Sequence, residues 1–163
     1  MKLETLHELL IDELQDLYSA ETQITKALPK LAKASSAPSL KQAFEHHLEE
    51  TKNHVMRLEL IFDQLNESPK GKTCEAMKGL LKEGDERVGE GGEPEVLDAG
   101  LIAAAQRVEH YEIAAYGSAR TYAELLGERE AMRLLSETLE EEKAADAKLS
   151  QVAKKINVEA KAA

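Results

Sequence analysis

Apolar residues recur along this chain at three- and four-residue steps, in five stretches separated by polar or proline- and glycine-containing breaks. That spacing puts apolar side chains on one face of a helix, and no stretch alternates with the period of two that a half-buried strand requires. The first stretch runs from about Leu3 to Lys33, with Leu6, Leu10, Leu14, Leu17, Ile24, Leu28 and Leu31 in its stripe. Pro29 predicts a bend in its last turns, because proline removes a helix donor. The second runs from about Leu40 to Asn66. Phe44, Leu48, Val55, Leu58, Phe62 and Leu65 form its stripe, with His47, Glu50, His54 and Ile61 on the flank of the same face. A shorter third stretch carries Cys74, Met77, Leu81 and Val88 and ends in a glycine-rich connection around Gly91 and Gly92. The fourth, from about Val96 to Leu126, has two adjacent stripes. One holds Leu101, Ala105, Val108, Glu112, Ala115 and Ala119; the other holds Ile102, Gln106, Glu109, Ile113 and Tyr116. Gly127 predicts its end. The fifth runs from about Ala131 to Val152, on Met132, Leu135, Leu139, Glu142, Asp146 and Leu149, and residues 157–163 form a polar, frayed tail.

Four long helices and one short one, with the short one in the longest connection, predict an all-α four-helix bundle made of two antiparallel hairpins joined by a crossover. Residues 1–156 make up this one domain. A weak internal repeat agrees: Leu48-Glu49-Glu50-Thr51-Lys52 matches Leu139-Glu140-Glu141-Glu142-Lys143, and at the same offset Glu21 falls on Glu112. The two hairpins then relate by a pseudo-twofold.

Composition narrows the function. A formal net charge of −10 argues against nucleic acid, whose binding needs a basic surface to displace counterions. The single cysteine, Cys74, excludes an internal disulfide and any thiolate knuckle. The start at Met1-Lys2-Leu3-Glu4 passes directly into an amphipathic pattern, unlike a signal peptide, and no apolar run reaches membrane-spanning length. The expectation is a cytoplasmic protein with no membrane partner.

The acids inside the stripes change the picture more. Glu21, Glu50, Glu109, Glu112 and Glu142 all fall near the middles of their helices, which antiparallel pairing brings to one level. With 31 acids in the chain, some will stray into any stripe as ordinary solvated side chains. An exposed helical Glu is often stabilised by a basic residue three or four positions away. Glu49 has Lys52, Glu124 has Arg120 and Glu130 has Arg133, whereas the five stripe acids have none, and neither has Glu141. Instead Glu109 faces Glu112 at one turn, and Glu142 faces Asp146. A buried acid–base network is poorly supported, because the inward stripes hold no Lys or Arg. A metal cluster fits best. Carboxylates with an imidazole are a hard, mostly oxygen donor set that suits iron or manganese, and two ions would neutralise about four carboxylates.

His54, one turn past Glu50, can reach the same ion. His47 is placed to support a ligand, as are Tyr18 before Glu21 and Tyr116 after Glu112, through hydrogen bonds to ligand carboxylates. Core packing explains the two tyrosines equally well. His7, His46 and His110 read as surface or peripheral. The candidate metal ligands are therefore Glu21, Glu50, His54, Glu109, Glu112, Glu142 and Asp146.

Tyr18-Ser19-Ala20-Glu21, His47 to Lys52, Val108 to Ala114 and Leu139 to Lys143 together resemble the YciE/YciF-like branch of the ferritin-like superfamily. The resemblance covers nearly the whole chain. It implies a ferritin-like bundle, a carboxylate-bridged dinuclear site and a stress-associated bacterial protein. It departs from the superfamily's Glu-x-x-His motif: His54 follows Glu50 by four residues, and the last helix has no His. A di-iron centre reacting with peroxide or dioxygen is the leading expectation, with manganese the alternative metal. A rubrerythrin-like peroxidase would need an external electron donor; a catalase-like reaction would not. The alternatives are iron storage without turnover and a metal-free helical interaction protein. A homodimer is the expected assembly.

Overall fold

The computed structural model describes residues 3–163; Met1 and Lys2, where the signal-peptide reading begins, lie outside them. Five helices make up the described chain: α1 (Leu6–Ala34), α2 (Pro38–Leu65), α3 (Glu75–Glu90), α4 (Pro94–Leu125) and α5 (Arg129–Ala162). Among the described residues there is no strand, and no helix is long and apolar enough to cross a membrane.

Local chemistry sets the helix ends. Thr5 caps α1 by accepting from the Glu8 backbone N–H while the Glu8 carboxylate accepts from the Thr5 N–H. This reciprocal capping box satisfies donors that a helix start leaves free. It also puts the start of α1 at Leu6 rather than Leu3. Pro38 and Pro94 open α2 and α4, where a missing N–H costs nothing. Gly127, at φ 76°, makes the left-handed turn between α4 and α5. The helix α1 runs through Pro29 to Ala34, within a residue of its expected end. One expectation is revised: α5 continues past Val152 to Ala162, with Val152 and Ile156 still buried.

Connections at 35–37 and 126–128 fold α1 on α2 and α4 on α5 as hairpins. The hairpins then pack α1 on α4 and α2 on α5, while α3 lies across α1 and α4. One clamp between the hairpins has no counterpart in the sequence reading. Asp98 on α4, 2 % exposed, accepts from the backbone N–H groups of Ser36 and Ala37 at 2.9 and 2.7 Å. It thereby satisfies donors at the start of α2, which lacks a side-chain cap of its own.

The core has two apolar halves. One gathers Ile24, Leu28, Phe44, Leu101, Leu149 and Val152. The other gathers Leu14, Leu17, Leu58, Tyr116, Leu135 and Leu139. The gap between them falls at one level on every long helix: after Leu17 on α1, after Phe44 on α2, after Val108 on α4 and after Leu139 on α5. Polar side chains fill it.

Candidate metal centre

Glu21, His54, Glu112 and Glu142 are 0 % exposed, Glu109 is 2 % and His47 is 5 %. They come from all four long helices. On α2 the buried face runs through His47, Thr51, His54 and Leu58. Seven residues turn a helix about 20° short of two full turns, so His47 and His54 point to nearly the same side. On α4, Glu109 and Glu112 both face inward, two acids in a buried run from Leu101 to Ala123 that is otherwise Leu, Ile, Ala, Val and Tyr.

These side chains form two groups that share Glu142. His47, Glu109, Glu112 and Glu142 bring one donor atom each within 4.8 Å of one another, and so do Glu21, His54 and Glu142. His47 Nε2 is 3.1 Å from Glu109 Oε1 and 3.5 Å from Glu142 Oε2. His54 Nδ1 is 2.9 Å from Glu142 Oε1 and 3.2 Å from Glu21 Oε1. Yet both of these ring nitrogens lack an aligned hydrogen bond, as do Glu21 Oε2, Glu109 Oε2 and both oxygens of Glu112 and of Glu142. Among the described residues, every buried side-chain N or O atom left without a hydrogen bond belongs to this cluster. Orphaned buried polar atoms cost about 1–3 kcal/mol each, so a folded protein rarely collects them in one place without a ligand.

The outward ring nitrogens are satisfied. His47 Nδ1 meets Glu50 Oε2 at 3.2 Å, and His54 Nε2 meets Glu141 Oε2 at 2.8 Å. Arg57 in turn clasps Glu141 through Nη1 at 2.6 Å and Nη2 at 2.9 Å. Tyr116, wholly buried, donates to Glu21 Oε1 at 2.5 Å.

Not every candidate lies in the cluster. Glu50 stands beside it, between His46 and His47, because it is about 60° round the helix from His47. The structure corrects its placement as a facing donor. Asp146 is corrected likewise: its carboxylate accepts from Gln106 Nε2 at 3.1 Å and faces His110 Nε2 at 3.2 Å on the outer side of α4. Four residues overshoot one turn by about 40°, which carries Asp146 off the face that Glu142 occupies, while Leu149 stays on it. Tyr18 does not reach Glu21; its hydroxyl donates to Glu59 at 2.9 Å and its ring meets Phe62 edge-on. His47 is the opposite case, since its ring enters the cluster that it had been expected only to support. Glu141 and Arg57 had no assigned role. Glu141 lacks a basic partner on its own helix because its partner sits on α2.

Burial and crowding bind protons in the metal-free cluster. Burial first, and then the charges of Glu142, Glu21 and Glu109, push Glu112 well above its ordinary 4.5. Burial raises Glu142 to about 7, with His54 opposing and Glu109 adding. For His54 burial works downward, but Glu142 and Glu21 outweigh it and lift the ring to about 10. His47 is raised well above 6.5 against burial, by Glu109 and Glu50. All four groups hold protons in the folded state that the unfolded chain releases. Metal-free stability therefore falls as pH rises, from about 4.5 to 7 through Glu142 and from about 6.5 to 10 through His54. Ligands bound to metal must be deprotonated, so the loaded protein should instead gain stability up to about pH 7. Thermal melts with chelator and with metal should slope in opposite directions; parallel slopes would show that the cluster is not where metal binds.

A helical bundle with a buried carboxylate–imidazole layer between two apolar half-cores defines the ferritin-like class. The chain belongs to the YciE/YciF-like family: the model of the family described as a domain of unknown function, DUF892, matches residues 5–162. It is 50 % identical over 154 residues to protein YciF of Escherichia coli K12, covering 94 % of this chain and 93 % of that one. The crystal structure of the E. coli stress protein YciF superposes with a TM-score of 0.92 at 49 % identity, over 94 % of this chain and 98 % of that one. YcfI from Rhodopseudomonas palustris gives 0.88 at 46 % identity, over 91 % and 95 %. A Xanthomonas campestris protein at 23 % identity and TM-score 0.74, covering 94 % of both chains, shares the fold.

Proposed function

We propose that this chain is a dinuclear metal-binding protein of the stress-associated kind, with iron as the first metal and manganese the alternative. One observation supports the reading: among the described residues, the orphaned buried side-chain donor atoms all converge in two groups joined by Glu142. Glu21 and His54 would hold one ion, and His47, Glu109 and Glu112 the other, with Glu142 shared. The donor set fits hard divalent ions, having four carboxylates and two imidazoles and no thiolate. Bound as a pair, such ions supply one-electron redox chemistry toward peroxide or dioxygen.

The protein's own groups prepare the site. Glu50 and Glu141 hold the outer nitrogens of His47 and His54, which fixes each ring's orientation and leaves the other nitrogen free to ligate. Tyr116 fixes one oxygen of Glu21, leaving Oε2 as donor. The flanking apolar half-cores cover the layer from both ends of the bundle. With a single cysteine, the chain has no thiolate iron centre of its own, so sustained peroxide reduction would draw on an external electron donor.

Loading the chelated protein anaerobically with ferrous or manganous ion should bring it to about two metals per chain, measured by elemental analysis after gel filtration. Less than about one would defeat the dinuclear reading. Stopped-flow oxidation of the ferrous form should run faster with peroxide than with dioxygen; the reverse order would favour ferroxidase chemistry.

A further inference from the structure

The repeat that carries Glu50 onto Glu141 and Glu21 onto Glu112 also carries Arg57 onto Lys148 and His54 onto Ala145. At the His54 end of the cluster the contact between the hairpins is complete. Arg57, its side chain 16 % exposed, reaches from α2 to α5. It donates to Glu137 at 2.9 Å, to Thr138 at 3.2 Å and to both oxygens of Glu141, and Glu141 holds the outer nitrogen of His54. At the same offset the counterparts of Glu137, Thr138 and Glu141 are His46, His47 and Glu50 on α2, and the counterpart of Arg57 is Lys148 on α5. There the contact is not made. Lys148 is exposed and, among the described residues, has neither an ion pair nor a hydrogen bond. A cavity of about 330 Å³ opens between the two helices instead, lined among others by His46, His47, Glu50, Glu109, Ala145 and Lys148. Two differences across the pseudo-twofold account for the space. An alanine stands where the other half has an imidazole, and a free lysine stands where the other half has a clasped guanidinium.

The chemistry of the two cations sets how firmly each end is shut. A guanidinium is a planar fork that engages both oxygens of a carboxylate at once. An ammonium is a compact, strongly hydrated charge on a flexible stem, and its pairs at a surface form and break readily. Glu50 offers Lys148 a carboxylate on the facing wall of the cavity. The same carboxylate meets His47 Nδ1 at 3.2 Å, so a cation drawn to Glu50 also acts on the ring at the inner end. We propose that the cavity is a port to the His47 end of the cluster and that Lys148 is its gate. Paired with Glu50, the lysine lays its stem across the cavity and closes it, as Arg57 closes the opposite end. Released, it leaves the port open, which is the form in the structure. That metal ions exchange through this port rests on the proposed function; the gate itself does not.

Alkylation of Ala145→Cys by iodoacetamide, in the chelated full chain, reads the port without metal. Cys74 is buried, and the wild type supplies its background rate. Ala145→Cys should react well above that background. Adding Lys148→Arg keeps the charge and restores the fork; it should slow the reaction at least about tenfold, as one further charge-assisted hydrogen bond in the closed form would. Adding Glu50→Gln as well should abolish that slowing. Ala147→Cys, exposed on the same helix and outside the cavity lining, should react equally with and without Lys148→Arg. Circular dichroism checks that each variant folds, and Ala144→Cys, at an exposed position of the rim, replaces Ala145→Cys if that one does not. Reaction of Ala145→Cys no faster than the background overturns the proposal. So does slowing that is absent in Lys148→Arg, that survives Glu50→Gln, or that appears equally in Ala147→Cys. In the manganese-loaded protein, Lys148→Arg should slow metal release to chelator by a similar factor with the metal content unchanged; an unchanged release rate overturns the port as the route of exchange. A chain that takes up no metal would defeat the dinuclear reading, and the alkylation rates would still decide the gate.

Discussion

Glu142→Ala will remove both metals at once. Glu142 is the one residue common to the two donor groups, and each of its oxygens approaches a different imidazole: Oε1 lies 2.9 Å from His54 and Oε2 lies 3.5 Å from His47. Losing it strips both ions of a donor and of the negative charge between them. His47→Gln and Glu21→Gln should behave differently, because each touches a single group. Elemental analysis under equal loading should give about two metals per chain for wild type, about one for each of these two variants, and close to zero for Glu142→Ala. Glu50→Gln and Glu141→Gln act one step further out, through the rings they hold. They should weaken binding by about 10–100-fold without abolishing it. A Glu142→Ala protein that still bound one metal tightly would show that the groups are independent, and that the carboxylate does not bridge them.

How far the site could be read from residues follows from helix geometry. Periodicity on α1, α4 and α5 pointed at Glu21, Glu109, Glu112 and Glu142 because those acids interrupt strong apolar stripes, and an acid inside a stripe is visible. On α2 the stripe was phased on Leu48 and Val55, both of which the structure leaves half-buried. Its true inward line is polar at its centre, through His47, Thr51 and His54, and hydrophobicity gives no signal there. With that phasing His47, Glu50 and His54 share one flank, so the pattern does not separate His47, which enters the cluster, from Glu50, which stands beside it. The internal repeat held the missing information: Glu50 matches Glu141, and the structure gives both the same task, each holding the outer nitrogen of an imidazole. Thr51 is the repeat counterpart of Glu142, so the shared carboxylate belongs to one half only, while both imidazoles come from the other. Asp98 and Arg57 were invisible for a different reason. Their partners, at the 35–37 connection and on α5, are tens of residues distant in sequence, and no local pattern reports a contact of that kind.

Glu112→Met should abolish binding at the His47 group and yet stabilise the metal-free protein. In the absence of metal Glu112 is a carboxyl group with no exposed surface and with both oxygens unsatisfied. Burial, and then the charges of Glu142, Glu21 and Glu109, all resist its ionisation. Methionine has similar length, needs no partner and adapts its shape to irregular space. Removing an unsatisfied buried polar group recovers about 1–3 kcal/mol. For a domain of this size each kcal/mol moves the melting temperature by about 2–4 °C. Melts in chelator should therefore rise by several degrees relative to wild type, while metal no longer raises the variant as it raises the parent. A fall in the chelated melting temperature would show that Glu112 supports the fold directly. A rise would show that the bundle bears a standing energetic cost at this position, one whose compensation comes only with the ions, and that the polar layer serves binding at the expense of the core it divides.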